Sequence, residues 1–83
     1  MKLELSEDAR RVLAAVSERA MDGYTLRSKT DLPTERLSTA ARELVMQDLL
    51  LVKGGLEEGR VLEAYFFVPT SAKHSVFRIL GPS

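Results

Sequence analysis

Apolar residues at helical spacing mark the first part of the chain. Residues 6–21 carry one apolar stripe, made by Ala9, Val12, Leu13, Val16 and Ala20. That period is typical of an amphipathic helix packed on a core. Ser6 is a suitable N-cap. The "DG" pair at 22–23 predicts the end of the helix, with Gly23 as its left-handed cap residue.

Two further helices follow, separated by a proline. Thr25 is the expected N-cap of a short helix over residues 25–31, and Pro33 disfavours helical geometry at the residue before it. A third helix is predicted over residues 33–47, since proline is tolerated in a first turn. Its apolar face comprises Leu37, Ala40, Ala41, Leu44 and Val45. Its opposite face comprises Glu35, Thr39, Arg42 and Met46, with Arg36 and Ser38 on the flanks.

The pattern changes after the third helix. Residues 49–69 predict a β-hairpin, because "LLLVK" and "RVLEAYFFV" flank the turn sequence "GGLEEG" and Pro69 ends the second strand. A last helix with one apolar side is predicted over residues 71–80. The elements therefore predict one α+β domain over residues 1–83.

Composition limits the chemistry that this domain can perform. The chain has 83 residues, no cysteine and a single histidine, so disulfides, thiolate sites and multi-histidine metal sites are excluded. No motif pairs a nucleophile with a base, and no glycine-rich phosphate loop is present. We expect neither an enzyme nor a bound cofactor. No apolar run approaches the length of a membrane helix and the start lacks a signal-peptide core, so a cytoplasmic location is expected.

Charge argues against a broadly basic surface. Lysine plus arginine equals aspartate plus glutamate, with twelve residues each, so the net charge is zero. A basic balance is the usual electrostatic footprint of a nucleic-acid binder. Any such function must therefore depend on a local patch.

The middle of the chain resembles a known family. The segment "LRSKTDLPTERLSTAARELVMQDLLLV" resembles the winged helix-turn-helix domains of small bacterial and archaeal transcriptional regulators. Leu26, the "TDLP" turn and the apolar positions of the third helix fit that frame, and "GRVLEAYFFVPT" resembles the returning wing strand. Asp48 departs from the pattern, because a glycine usually precedes the first wing strand there. The resemblance covers residues 7–70.

The resemblance implies a regulator of double-stranded DNA whose third helix enters the major groove. The DNA-contacting residues that it implies are Thr34, Glu35, Arg36, Ser38, Thr39 and Arg42 on that helix, Arg27 and Lys29 before it, and Lys53 and Arg60 on the wing. Arginine can bond guanine, hydroxyls can serve bases or phosphates, and the wing cations would contact phosphate. A homodimer through the N-terminal "MKLEL" and the last helix is also expected, because one module this small makes few contacts.

Two alternatives remain open on the sequence alone. Winged helices also serve as protein–protein interaction modules, and net neutrality, the outward Met46 and the acidic wing residues Glu57 and Glu58 favour that use. The polar residues of the third helix are also compatible with an ordinary solvated helix face.

Overall fold

The protein, analysed as a computed structural model that describes residues 5–81, contains α-helices and an antiparallel sheet. The elements in chain order are α1 (Glu7–Glu18), β1 (Met21–Asp22), α2 (Gly23–Thr30), α3 (Thr34–Met46), β2 (Leu51–Lys53), β3 (Tyr65–Phe67) and α4 (Lys73–Leu80). The predicted α+β class is confirmed, and the order is compatible with a winged-helix-like fold. Within residues 5–81, no helix is both long enough and apolar enough to cross a membrane.

The first helix begins as predicted and ends earlier than predicted. The Ser6 hydroxyl accepts a hydrogen bond from the Ala9 N–H at 3.1 Å, which caps α1. The helix stops at Glu18 because the following residues form β1, in which Met21 pairs with Phe66 of β3. Sheet pairing thus overrides the helical pattern that continues to residue 20.

The "DG" pair starts a helix rather than ending one. Asp22 is the N-cap of α2, since its carboxylate accepts the Tyr24 N–H at 3.1 Å and the Thr25 hydroxyl at 2.6 Å. The predictions that Gly23 caps α1 and that Thr25 caps α2 were therefore wrong. The helix ends at Asp31, whose φ of 58° is left-handed. Aspartate tolerates that conformation better than most residues do.

The predicted hairpin is present but short. The sheet has the order β1-β3-β2, and both pairings of the central strand are antiparallel. The second strand covers only Tyr65–Phe67 instead of 60–68, because Val61–Glu63 forms a 3₁₀ turn whose first side chain is buried. The connection from Gly54 to Ala64 is therefore a folded loop, which we call the β2–β3 loop.

The core lies between the helices and the inner side of the sheet. The predicted apolar face of α3 is buried except for Val45, which is half-buried, and α3 packs against α1. Phe66 is the largest fully buried side chain and brings the sheet onto this helical core. Burying one aromatic ring of this kind contributes roughly 2–3 kcal/mol through apolar area alone.

The last helix follows the prediction closely. A 3₁₀ turn over Thr70–Ala72 leads directly into α4. The Arg10 guanidinium, near the start of α1, donates to the Ile79 carbonyl near the end of α4 at 3.5 Å. At the other end, Glu18 of α1 and Lys73 of α4 line one groove, so the two helices are antiparallel neighbours. Of the predicted dimer segment "MKLEL", only Leu5 lies within the described residues.

Candidate functional site

The outer side of α3 is a continuous exposed stripe. Glu35, Thr39, Arg42 and Met46 follow one another at spacings of four, three and four residues, and all are exposed. They span about 16 Å along the helix. The prediction that these four residues point away from the core is confirmed, and we call them the α3 face. Among the described residues, Met46 is the most exposed of the large apolar side chains, at 79%.

The middle of the α3 face has one internal hydrogen bond. The Thr39 hydroxyl donates to the Glu35 carbonyl of the preceding turn at 3.1 Å. This bond uses the only hydroxyl proton. The Thr39 methyl group and the lone pairs of its oxygen remain available to a partner.

Ser38 does not belong to this exposed face. Its side chain is buried, with 5% exposure, and its hydroxyl donates to the Leu56 carbonyl of the β2–β3 loop. This burial argues against the expectation that Ser38 contacts DNA. The residue instead fastens the loop to α3, and the flank that it occupies is covered by that loop.

Arg36 is held by a carboxylate of α1. Its Nε and Nη2 donate to the two oxygens of Asp8 at 2.8 and 2.6 Å, which is a bidentate pair. The hydrogen bond from Arg36 is the main cause that lowers the pKa of Asp8. Burial opposes it, and the charges of Arg36 and Arg11 lower the pKa further. Arg36 is therefore already paired within the chain, although the resemblance implied that its guanidinium contacts DNA.

The Asp8–Arg36 pair makes a pH-dependent contribution to stability. Because the folded-state pKa of Asp8 is lowered from 3.8, this contribution is present above that value and is lost as the pH falls through the lowered pKa. We expect Arg36→Met to be less stable than the wild type near neutral pH, and to converge with it in acid. Thermal unfolding at about pH 7 and about pH 2 measures the difference.

Arg27→Met is the matched control for this measurement, since Arg27 is exposed and lies in no ion pair of the described chain. It should stay close to the wild type at both pH values. A gap between Arg36→Met and the wild type that stays constant down to pH 2 would contradict the assignment to Asp8.

The β2–β3 loop brings carboxylates to the α3 face. Glu57 and Glu58 line one cleft with Glu35, Thr39 and Arg42. Three carboxylates therefore line the same cleft as the Arg42 guanidinium, although no carboxylate oxygen of the described residues lies within 4 Å of it. The local potential at this cleft is less positive than the arginine alone would make it.

The remaining predicted cations lie on other elements of the fold. Arg27 and Lys29 are exposed on α2, and Lys53 is exposed on β2 opposite Tyr65. Arg60 lies in the β2–β3 loop rather than on a strand, 3.9 Å from a Glu57 oxygen. The prediction that it begins the second strand of the hairpin was wrong, because Val61–Glu63 forms a 3₁₀ turn and the strand starts at Tyr65.

The start of α3 adjoins a shallow polar depression. Thr34 is half-buried, and Pro33 stands at the N-cap position without a side-chain hydrogen bond to the helix. The depression is lined by Tyr24, Arg27 and neighbouring residues of α2 and the turn. Tyr24 is 56% exposed and was missed as a surface residue. The signal that was available is its helical spacing from Arg27.

Comparison of the chain with known proteins found no significant match. No family model matches the sequence, and no curated protein or solved structure matches it at a significance that supports an argument.

Proposed function

We propose that this chain is a winged-helix DNA-binding domain that places α3 in the major groove. The observation that carries the proposal is the α3 face itself. A helix that packs its apolar side on α1 and follows α2 through a three-residue turn presents a polar stripe to solvent. This is the arrangement by which helix-turn-helix proteins present a recognition helix.

The dimensions and side chains of α3 suit a groove. Its 13 residues make a rod about 20 Å long and 10–12 Å across, which the roughly 12 Å major groove admits. Arg42 can donate two hydrogen bonds to guanine, and Glu35 can accept from the amino group of cytosine. The Thr39 methyl group can contact the methyl group of thymine.

In this proposal, the phosphate contacts are made by cations that lie outside α3. Arg27 and Lys29 on α2 and Lys53 on β2 are exposed and belong to no ion pair within residues 5–81. Such contacts position a protein on the duplex without reading its sequence. Arg36 and Ser38 are left out of the interface, because Asp8 and Leu56 hold them.

The carboxylates of the cleft lower the affinity that we expect for DNA. Glu57 and Glu58 repel phosphate, and the chain has no net charge. Non-specific binding depends almost entirely on phosphate neutralisation. We therefore propose weak binding to random DNA, with affinity gained chiefly where Arg42 meets its base.

Fluorescence anisotropy tests the proposal. A pool of random duplexes is enriched on the protein, and binding of an enriched and an unselected duplex is then titrated at several salt concentrations. With about three phosphate-contacting cations, the plot of log affinity against log salt should have a slope of about −3. No binding to either duplex at low salt and high protein concentration would refute DNA binding.

Neutralising the loop carboxylates should strengthen DNA binding. We expect the double variant Glu57→Gln/Glu58→Gln to bind a duplex about 3–10-fold more tightly at low salt, since it removes repulsion beside the proposed groove contact. The advantage should shrink as salt screens the charges. Anisotropy titration at two salt concentrations measures both effects.

The control variant is Glu7→Gln/Glu63→Gln, which makes the same change in net charge with residues outside the cleft. It should gain much less affinity. Equal gains from both double variants would show that net charge, and not the position of the loop, limits binding.

The same cleft also favours a second candidate function, docking of a basic segment of another protein. Three carboxylates line the cleft, and the exposed Met46 lies one helical turn beyond Arg42 on α3. Methionine adapts to varied partners, and acidic clefts attract lysine and arginine. For this function, Glu57→Gln/Glu58→Gln should weaken binding of an Arg- and Lys-rich peptide, whereas for DNA the same variant strengthens binding. The sign of the effect separates the two functions.

A further inference from the structure

The exposed side of α1 and α4 forms an apolar groove that is independent of the α3 face. The groove has a volume of about 460 Å³. Its α1 wall contains Ala14, Ser17 and Glu18, and its α4 wall contains Lys73, Phe77 and Leu80. Phe77 is 57% exposed beside it. An aromatic ring this exposed beside an apolar groove marks a surface on which another molecule can pack.

We propose that this groove binds a second copy of the chain, with a two-fold axis that runs along the two helices. Such an axis places α1 of one copy against α4 of the other at the same height along the groove. An isologous interface requires each surface to complement itself in this way. The proposal goes beyond DNA binding and does not depend on it.

The two walls complement each other in shape. Ala14 and Ser17 are small and exposed, and they lie across the groove from Phe77. In the two-fold dimer, Phe77 of each copy packs on Ala14 and Ser17 of the other copy's α1. The Ser17 hydroxyl already donates to the Ala14 carbonyl at 2.9 Å, so covering it leaves no hydroxyl proton unsatisfied.

The charges complement each other in the same arrangement. Glu18 ends α1, Lys73 begins α4, and both line the same end of the groove. Neither belongs to an ion pair among the described residues. Each copy can therefore offer Lys73 to the other copy's Glu18, twice per dimer. Opposite charges fixed at matching heights select this register over others.

The surface area that the two helices can bury limits the expected affinity of the dimer. A stable interface of standard size buries about 800 Å² per partner, which is roughly one seventh of the 5490 Å² surface of this chain. Two helices of 12 and 8 residues offer less than that. We therefore expect a reversible dimer with a dissociation constant of roughly 10 µM.

Sedimentation velocity on the full chain, without DNA, tests the dimer. The wild type should pass from monomer to dimer between about 1 and 200 µM. Phe77→Glu should raise the dissociation constant at least about 30-fold, because a charge replaces the central aromatic contact. Tyr24→Glu is the matched control, since Tyr24 is 56% exposed on α2 and outside the groove. A wild type that stays monomeric, or equal effects from the two variants, would overturn the proposal.

A charge-reversal pair tests the register and does not depend on Phe77. Glu18→Lys alone and Lys73→Glu alone should each dimerise poorly, since like charges then face each other twice. An equimolar mixture of the two variants should form a heterodimer in which both ion pairs are restored. A mixture no more dimeric than its components would refute the two-fold arrangement. Because no DNA is present, either result is separate from the test of DNA binding.

Discussion

Gly23→Ala is expected to lower the free energy of unfolding by about 3 kcal/mol. A Cβ atom added at Gly23 would lie 2.1 Å from the Val61 carbonyl oxygen and 2.6 Å from the Leu62 Cα. Both atoms are backbone atoms of the 3₁₀ turn, so no side chain can rotate to make room. The first turn of α2 must therefore move away from the β2–β3 loop.

The surroundings resist that movement. The Gly23 N–H donates to the Ala64 carbonyl at 2.9 Å, and the Val61 side chain is fully buried. Separating α2 from the turn would break this hydrogen bond and open the core at Val61. Each of these costs roughly 1 kcal/mol or more.

Urea and thermal unfolding measure this prediction, and Gly59→Ala is its control. A Cβ at Gly59 meets no atom of residues 5–81 within 4 Å. That variant should remain within about 0.5 kcal/mol of the wild type. For a domain of this size, the Gly23 variant should melt roughly 12–24 °C lower. Equal melting temperatures for both variants would refute the close approach of α2 to the loop.

The helices were predictable because local pattern decides them. The start of α1 follows from the Ser6 cap, and the extent of α3 follows from Pro33 and a regular apolar period. The same period predicted the exposed α3 face. When the apolar period shows which side of a helix is buried, it also shows which residues lie on the exposed side. The α3 face could therefore be predicted without knowing any distant contact.

The misassigned features depend on distant partners. The two-residue strand β1 exists only because Met21 meets Phe66, and no local signal marks so short a strand. Gly23 has the sequence context of a helix end, but its requirement for glycine comes from the loop around Val61. Tertiary contact therefore overrode the local turn signal.

The errors in the candidate site have the same origin. Arg36 meets Asp8 across 28 residues of chain, and Ser38 meets Leu56 across 18. Both residues lie on the flanks of α3, where a neighbouring element decides whether a side chain is free. The flank positions of α3 are thus the least predictable from sequence.

Arg42→Ala is expected to weaken binding to an enriched duplex about 30-fold, which corresponds to roughly 2 kcal/mol. Arg42 is the only arginine of the α3 face, so it alone there can bond guanine with two parallel N–H groups. Binding to unselected DNA should fall much less, because the proposed phosphate contacts of α2 and β2 would remain. Anisotropy titrations on both duplexes measure the two losses.

Arg19→Ala removes the same charge from an exposed residue beyond the end of α1, and it should change both affinities by less than about 2-fold. Arg42→Lys separates geometry from charge, since lysine keeps the charge but lacks the paired donors. It should bind unselected DNA like the wild type and should lose most of the preference for the enriched duplex. If Arg42→Ala and Arg19→Ala weakened binding equally, then α3 would not lie in the groove, and the exposed stripe would be an ordinary solvated helix surface.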